Sequence, residues 1–222
     1  MANNSSQEYT ALGISSKVLC AIIVATGLWF FMFSPWTSGM VDFWYMMTAS
    51  ALVLIALALL GGKSLKLLKP FKPFKPITLL LIGAAIAATL WVAFWVGDKL
   101  SQLMFDFARP QVDGIYGMKG ATDTTFIALA LLFIIGPAEE IFWRGYVQEH
   151  LQSKFGKNTG FIVATLIYTL IHIWSLNFML IMAAMVCGIC WGGLYRLDKR
   201  LLPALVISHA LWDCAAFVVF PF

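Results

Sequence analysis

Gly136-Pro137-Ala138-Glu139-Glu140-Ile141-Phe142-Trp143-Arg144-Gly145-Tyr146 is the stretch on which the reading of this chain turns. Two adjacent carboxylates and a guanidinium stand at the end of an apolar run that begins near Thr124. An ionised carboxylate in hydrocarbon is costly, and a pair of them more so. On a helix, Glu140 and Arg144 share one face with the Glu N-terminal, the better order for an ion pair. Glu139 is turned about 100° away from that pair. The pattern predicts that Arg144 holds Glu140 and that Glu139 is left for chemistry. The bland alternative is a satisfied structural ion pair near a membrane interface.

The rest of the chain supplies the hydrocarbon setting. Of its 222 residues, 61% are hydrophobic and 12% charged, and the mean hydropathy is +0.85. A soluble domain carries about 25% charged residues. The composition is that of an integral membrane protein with no room for a large soluble domain. Apolar runs cover residues 17–33, 43–60, 77–96, 124 to 154, 161–174, 178–195 and 202–220. Each is long enough to cross or nearly cross a bilayer, which predicts an all-α, polytopic transmembrane helix bundle of about seven spans. The polar start, residues 1–16, lacks the basic character of a signal peptide, so the first run is read as a retained span. We read residues 1–222 as one integral membrane domain. Motif-free spans and loops fill 1–121, and the chemistry lies in 122–222, the last four spans.

The connections set expectations of their own. Lys63, Lys66, Lys69, Lys72 and Lys75 punctuate a linker in which Pro70, Pro73 and Pro76 forbid regular helix. Such a run reads as a topogenic cytoplasmic loop in contact with anionic lipid headgroups, not as a nucleic-acid site. With residues 61–76 cytoplasmic, so are the N-terminus, the Arg144 to Lys157 region and the Arg196 to Arg200 turn. The polar stretch 98–123, rich in glycine, is expected to be partly loop, with 100–107 a short interfacial helix or an extension of the third span. Pro137 should kink the fourth span, and residues 155–160 should close it. Ala184, Gly188 and Gly192 form a small-residue stripe that admits a neighbouring helix. Cys20, Cys187, Cys190 and Cys214 all lie in apolar runs and read as packing residues.

Four polar residues remain inside the spans: Glu139, His172, His209 and Asp213. His209 and Asp213 are one helical turn apart on one face. A lone buried His is usually a packed, hydrogen-bonded residue. Clustering across neighbouring spans would let each costly group supply the next one's partner.

Glu139-Glu140-x-x-x-Arg144, Tyr168-x-x-x-His172 and His209-x-x-x-Asp213 together resemble the CPBP family of CAAX-processing and bacteriocin-processing (Abi-type) intramembrane proteases. The resemblance covers about residues 122–220. Tyr168 stands where the family usually has Phe, and the last motif ends in Asp213 where Asn or Asp is usual. The resemblance implies an intramembrane endopeptidase acting on a membrane-associated, prenylated or leader peptide. In that reading Glu139, helped by His172, deprotonates a water. His209 stabilises the oxyanion, Asp213 orients it, and Glu140, Arg144 and Tyr168 support the site. A metal version would use Glu139, His172 and His209 as zinc ligands, and the metal-free glutamate version is slightly preferred. The partners implied are membrane lipid and a peptide or lipidated-protein substrate, with no nucleic acid. The competing readings are a non-catalytic immunity or scaffold relative and a proton-coupled transporter. Neither substrate nor oligomeric state is legible.

Overall fold

A computed structural model describes residues 14–61 and 74–222. The lysine linker, apart from Gly61, Phe74, Lys75 and Pro76, lies outside the described residues. The fold is all-α. Seven helical segments among the described residues are long and apolar enough to cross a membrane. We number the helices α1 (Ser16–Phe33), α2 (Phe43–Leu60), α3 (Pro76–Met104), a short α4 (Ala108–Gly117), α5 (Thr124–Phe155), α6 (Lys157–Leu170), α7 (Phe178–Leu197) and α8 (Leu202–Cys214). A 3-10 turn, Ile171–Ser175, extends α6, and a π-helical turn, Ala215–Val219, extends α8.

Local chemistry starts these helices where it should. Asp42 accepts from the N–H groups of Trp44 and Tyr45, Asp123 from that of Phe126, and Asn177 from that of Leu180. Each satisfies donors that the first turn of a helix leaves open. Pro76 opens α3 at a position that needs no N–H. Apolar side chains such as Leu81, Val92, Phe133 and Ile189 stay exposed on the outside, as a lipid-facing surface requires.

The connections refine the sequence reading. The third span runs on to Met104, the second of the two expectations for residues 100–107. Beyond it, residues 108–117 form α4 and residues 118–123 are turn and loop, so the glycine-rich stretch is partly loop as expected. Ala108 and Val112 are buried on one side of α4, and their apolar burial outweighs the low helix propensity of Gly114. A clamp holds α4 down: the Asn177 amide donates to the Gln111 carbonyl at 2.8 Å, and Met179 N–H donates to Gln111 Oε1 at 3.0 Å. The expected loop at 155–160 shrinks to Gly156. Its φ of 83° and ψ of 160° reverse the chain between α5 and α6 in one residue.

The long α5 organises the bundle. It passes through Pro137 without ending, and widens to π-helical turns at Leu131–Ile135 and Ile141–Gln148. The missing proline donor is absorbed by this wider register, in which Gly136 N–H reaches back to the Leu131 carbonyl. At 32 residues, α5 is about 48 Å long. Glu139 and Glu140 are its two middle residues, so a long span centred on the carboxylates brings them level with residues deep in α6 and α8. The glycine stripe of α7 is the expected packing groove. A Cβ on Gly188 would lie 3.1 Å from Thr165, and one on Gly192 3.0 Å from Gln148.

The two ends of the bundle are chemically distinct. At one, Ser15 N–H meets His150 at 3.2 Å, Lys199 pairs with Glu149 at 3.1 Å, and the Arg200 guanidinium lies over Phe74. At the other, Thr122 donates to Asp42 at 2.6 Å beside α4.

Candidate active site

The expected ion pair forms. Arg144 Nη1 lies 2.9 Å from Glu140 Oε1, and both side chains are buried. The same oxygen receives His209 Nδ1 at 2.9 Å. A guanidinium this deep is costly unless its donors and faces are used. Arg144 lies over the Tyr168 ring at 4.5 Å and the Trp191 ring at 5.6 Å, and its Nη2 reaches the Cys187 carbonyl at 3.4 Å. Glu140 is thus a structural hub that ties α5 to α8.

His209 is fixed on three sides. Its Nδ1–H donates to Glu140, and its Nε2 lies 3.4 Å from Asp213 Oδ2. Its ring stacks on Trp191 at 3.9 Å between centroids, 21° from parallel. Trp191 is held in turn by donating to Ser208 Oγ at 3.1 Å. Nothing in the sequence pattern marks Trp191, because an aromatic residue in an apolar span is ordinarily lipid- or core-facing.

Glu139 is left out of this hub. It is 5% exposed, and its Oε2 accepts from the Tyr168 hydroxyl at 3.4 Å. Tyr168 thus links the second motif to the first.

His172 sits one turn further along, in the 3-10 extension of α6. Its Nδ1 lies 2.8 Å from the Tyr168 carbonyl, and Trp29 of α1 donates its indole N–H to Nε2 at 3.1 Å. A carbonyl only accepts and an indole N–H only donates, so the proton of a neutral ring is on Nδ1. Trp29, fully buried on a motif-free span, has no signal in the sequence either.

Glu139, Tyr168, His172, His209 and Asp213 line one cavity of about 390 Å³. Its other walls are mostly apolar: Phe33 of α1, Trp44 and Met47 of α2, Phe94 and Gly97 of α3, Ile115 and Tyr116 of α4, and Met182 and Val186 of α7. Every spanning helix thus contributes to the wall. The cavity reaches from the carboxylates to the α4 side chains Val112, Ile115 and Tyr116, and offers an apolar group a seat beside ionisable side chains.

The zinc set considered above, Glu139, His172 and His209, is brought to one cavity but not to one point. The Nε2 lone pair of His172 faces Trp29, and both nitrogens of His209 face carboxylates. No three His, Cys, Asp or Glu among the described residues are grouped to hold a metal ion. In this arrangement the residues do not fit zinc. Cys187 and Cys190 are unbridged.

The site is thus a cluster of carboxylates and histidines buried around an apolar cavity within a polytopic helix bundle. Residues 121–215 match the family described as Type II CAAX prenyl endopeptidase Rce1-like, and that segment is a domain of the CPBP/CAAX protease family. All seven polar residues of the site fall inside it. No curated protein and no solved structure matches the chain at a significant level. The family is one of CAAX protease-type hydrolases.

Proposed function

We propose that the protein is an intramembrane endopeptidase that hydrolyses a peptide bond of a prenylated or leader-type membrane peptide with water activated by Glu139. The carrying observation is the division of labour in the Glu pair. Glu140 is engaged at Oε1 by both Arg144 and His209, whereas Glu139 opens on the apolar cavity. A water held by Glu139 gives up its proton to the carboxylate as its oxygen adds to the scissile carbonyl. The carbonyl electrons move to oxygen, and His209, as the imidazolium with Nδ1–H on Glu140 and Nε2–H beside Asp213, stabilises that oxyanion by its charge. Collapse re-forms the carbonyl, breaks the C–N bond and returns the proton from Glu139 to the leaving amine. Tyr168 orients Glu139, and His172 orients Tyr168 through its carbonyl and ring. No metal is needed for these steps. The basic residues at one end of the bundle support a cytoplasmic N-terminus and a cytoplasmic 61–76 loop. The motif-free region 1–121 then serves as accessory spans for a catalytic core in 122–222.

The test is cleavage of an internally quenched farnesylated peptide ending in a CAAX sequence, and of its unprenylated twin, in proteoliposomes. Glu139→Gln keeps the shape of the side chain and removes the base, and should lower kcat by roughly 10²–10⁴-fold. Cleavage at the wild-type rate by this variant rules the mechanism out. Equal cleavage of the twin peptide points to leader-type substrates.

A further inference from the structure

Helix α1 lies outside the segment that matches the family, yet it reaches the site. Trp29 and Phe33, one turn apart, both face His172, with ring centroids 6.1 and 5.6 Å from the imidazole. Trp29 is immobilised behind it by an edge contact with Trp143 at 6.4 Å and 88°. The indole N–H to Nε2 bond and the Nδ1 to Tyr168 carbonyl bond use both ring nitrogens.

We propose that Trp29 is a positioning residue for the hydrolysis proposed above, on which this inference rests: its indole N–H locks His172 into one tautomer and one orientation, and through Tyr168 fixes Glu139. The alternative tautomer would set the Nε2–H against the indole N–H and the bare Nδ1 against a carbonyl. Both hydrogen bonds would be lost in a buried setting, where an unpaired polar group is costly. The locked ring therefore keeps its basic nitrogen away from the cavity. It takes no proton from the attacking water, which leaves Glu139 as the single acceptor. Its contribution is to pin Tyr168 from both ends, at the backbone carbonyl and by ring contact at 5.4 Å, so that the Tyr168 hydroxyl stays on Glu139. A span with no chemistry of its own is thereby tied to the catalytic carboxylate through three side chains.

The test replaces Trp29 by 3-benzothienylalanine, which keeps the bicyclic shape and exchanges N–H for sulfur, with Trp29→Phe as the genetically encoded companion. The readouts are kinetics on the farnesylated peptide and ring-¹⁵N spectra of histidine-labelled protein, with the His172 signals assigned by their loss in His172→Gln. Misplacing a reacting group by about 1 Å can cost about 10²-fold, and Trp29 acts on Glu139 only through His172 and Tyr168. Both variants should therefore lose kcat by roughly tenfold or more with KM within about twofold, and the His172 Nε2 signal should move to that of a free lone pair or of mixed tautomers. Unchanged or raised kcat, or unchanged His172 signals, overturns the proposal. If Glu139→Gln silences the enzyme while Trp29 replacement does not, the inference alone has failed. If the wild type cleaves neither peptide, the hydrolytic reading has failed, and the ¹⁵N spectra still decide the Trp29–His172 pairing.

Discussion

Gly136→Ala is the smallest change that should separate the two halves of the site. A Cβ at this position would lie 2.8 Å from both the Cα and the N of Ala210 in α8. Carbon atoms rest at about 3.5–4.0 Å, so α5 and α8 must part by roughly 1 Å. Backbone stands on the far side of the contact, and no side chain can swing away to relieve it. Ala210 follows His209 directly, and the His209–Glu140 bond spans only 2.9 Å. A shift of about 1 Å carries that bond beyond hydrogen-bonding range. The imidazole then loses the partner that fixes its Nδ1, and Glu140 keeps only Arg144. Misplacement on this scale costs about 10²-fold in rate, and overpacking costs about 1–3 kcal/mol in stability. We expect kcat on the farnesylated peptide to fall accordingly, with KM little changed, and the midpoint of SDS-induced unfolding in mixed micelles to drop. Gly27→Ala is the control, since a Cβ there meets nothing within 4 Å; it should stay within about 0.5 kcal/mol of wild type. Wild-type kcat and stability in Gly136→Ala would refute the claim that this glycine sets the α5–α8 distance.

Arg144→Met strands the buried Glu140 carboxylate and should cost about 3–5 kcal/mol by the same unfolding measurement. The double variant Glu140→Gln/Arg144→Met should recover a measurable part of that loss, and purely additive effects would show that the pair is not coupled. A pH effect is expected at the other end of the bundle. The Thr122 hydroxyl, and then the Tyr45 and Trp44 N–H groups, hold the Asp42 carboxyl below the usual carboxylate range. With the folded value below the unfolded one, this group stabilises the fold above the ordinary range and loses that contribution as pH falls from about 4 through the lower folded value. Unfolding midpoints at pH 6 and pH 3 should therefore differ less in Asp42→Asn than in the wild type, and an identical acid response would rule out Asp42 as a contributor.

The membrane-spanning all-α class, the pairing of Glu140 with Arg144 and the α7 packing groove were legible because each rests on local rules. Hydrocarbon length sets spans, helical periodicity sets which side chains meet along one helix, and small residues admit a neighbour. Those rules speak only within one element. They could not show that the helix between Met104 and Thr124 forms, because its apolar side finds a partner only once Gln111 docks on the turn before α7. Nor could they show that a single glycine, Gly156, turns α5 into α6.

At the site the division is sharper. The sequence by itself determined which polar groups are placed in hydrocarbon, and that Glu139 points away from the Glu140–Arg144 pair. Only the tertiary structure decided their partners: that one carboxylate oxygen of Glu140 serves both Arg144 and His209, that Trp191 stacks on His209, and that Trp29 occupies the lone pair of His172. The physical reason is that a buried polar group must be satisfied, but which helix brings the satisfying atom depends on how spans far apart in sequence pack. Periodicity places a side chain on a face of its own helix; the close approach of α1, α5, α6 and α8 gives that face its chemistry.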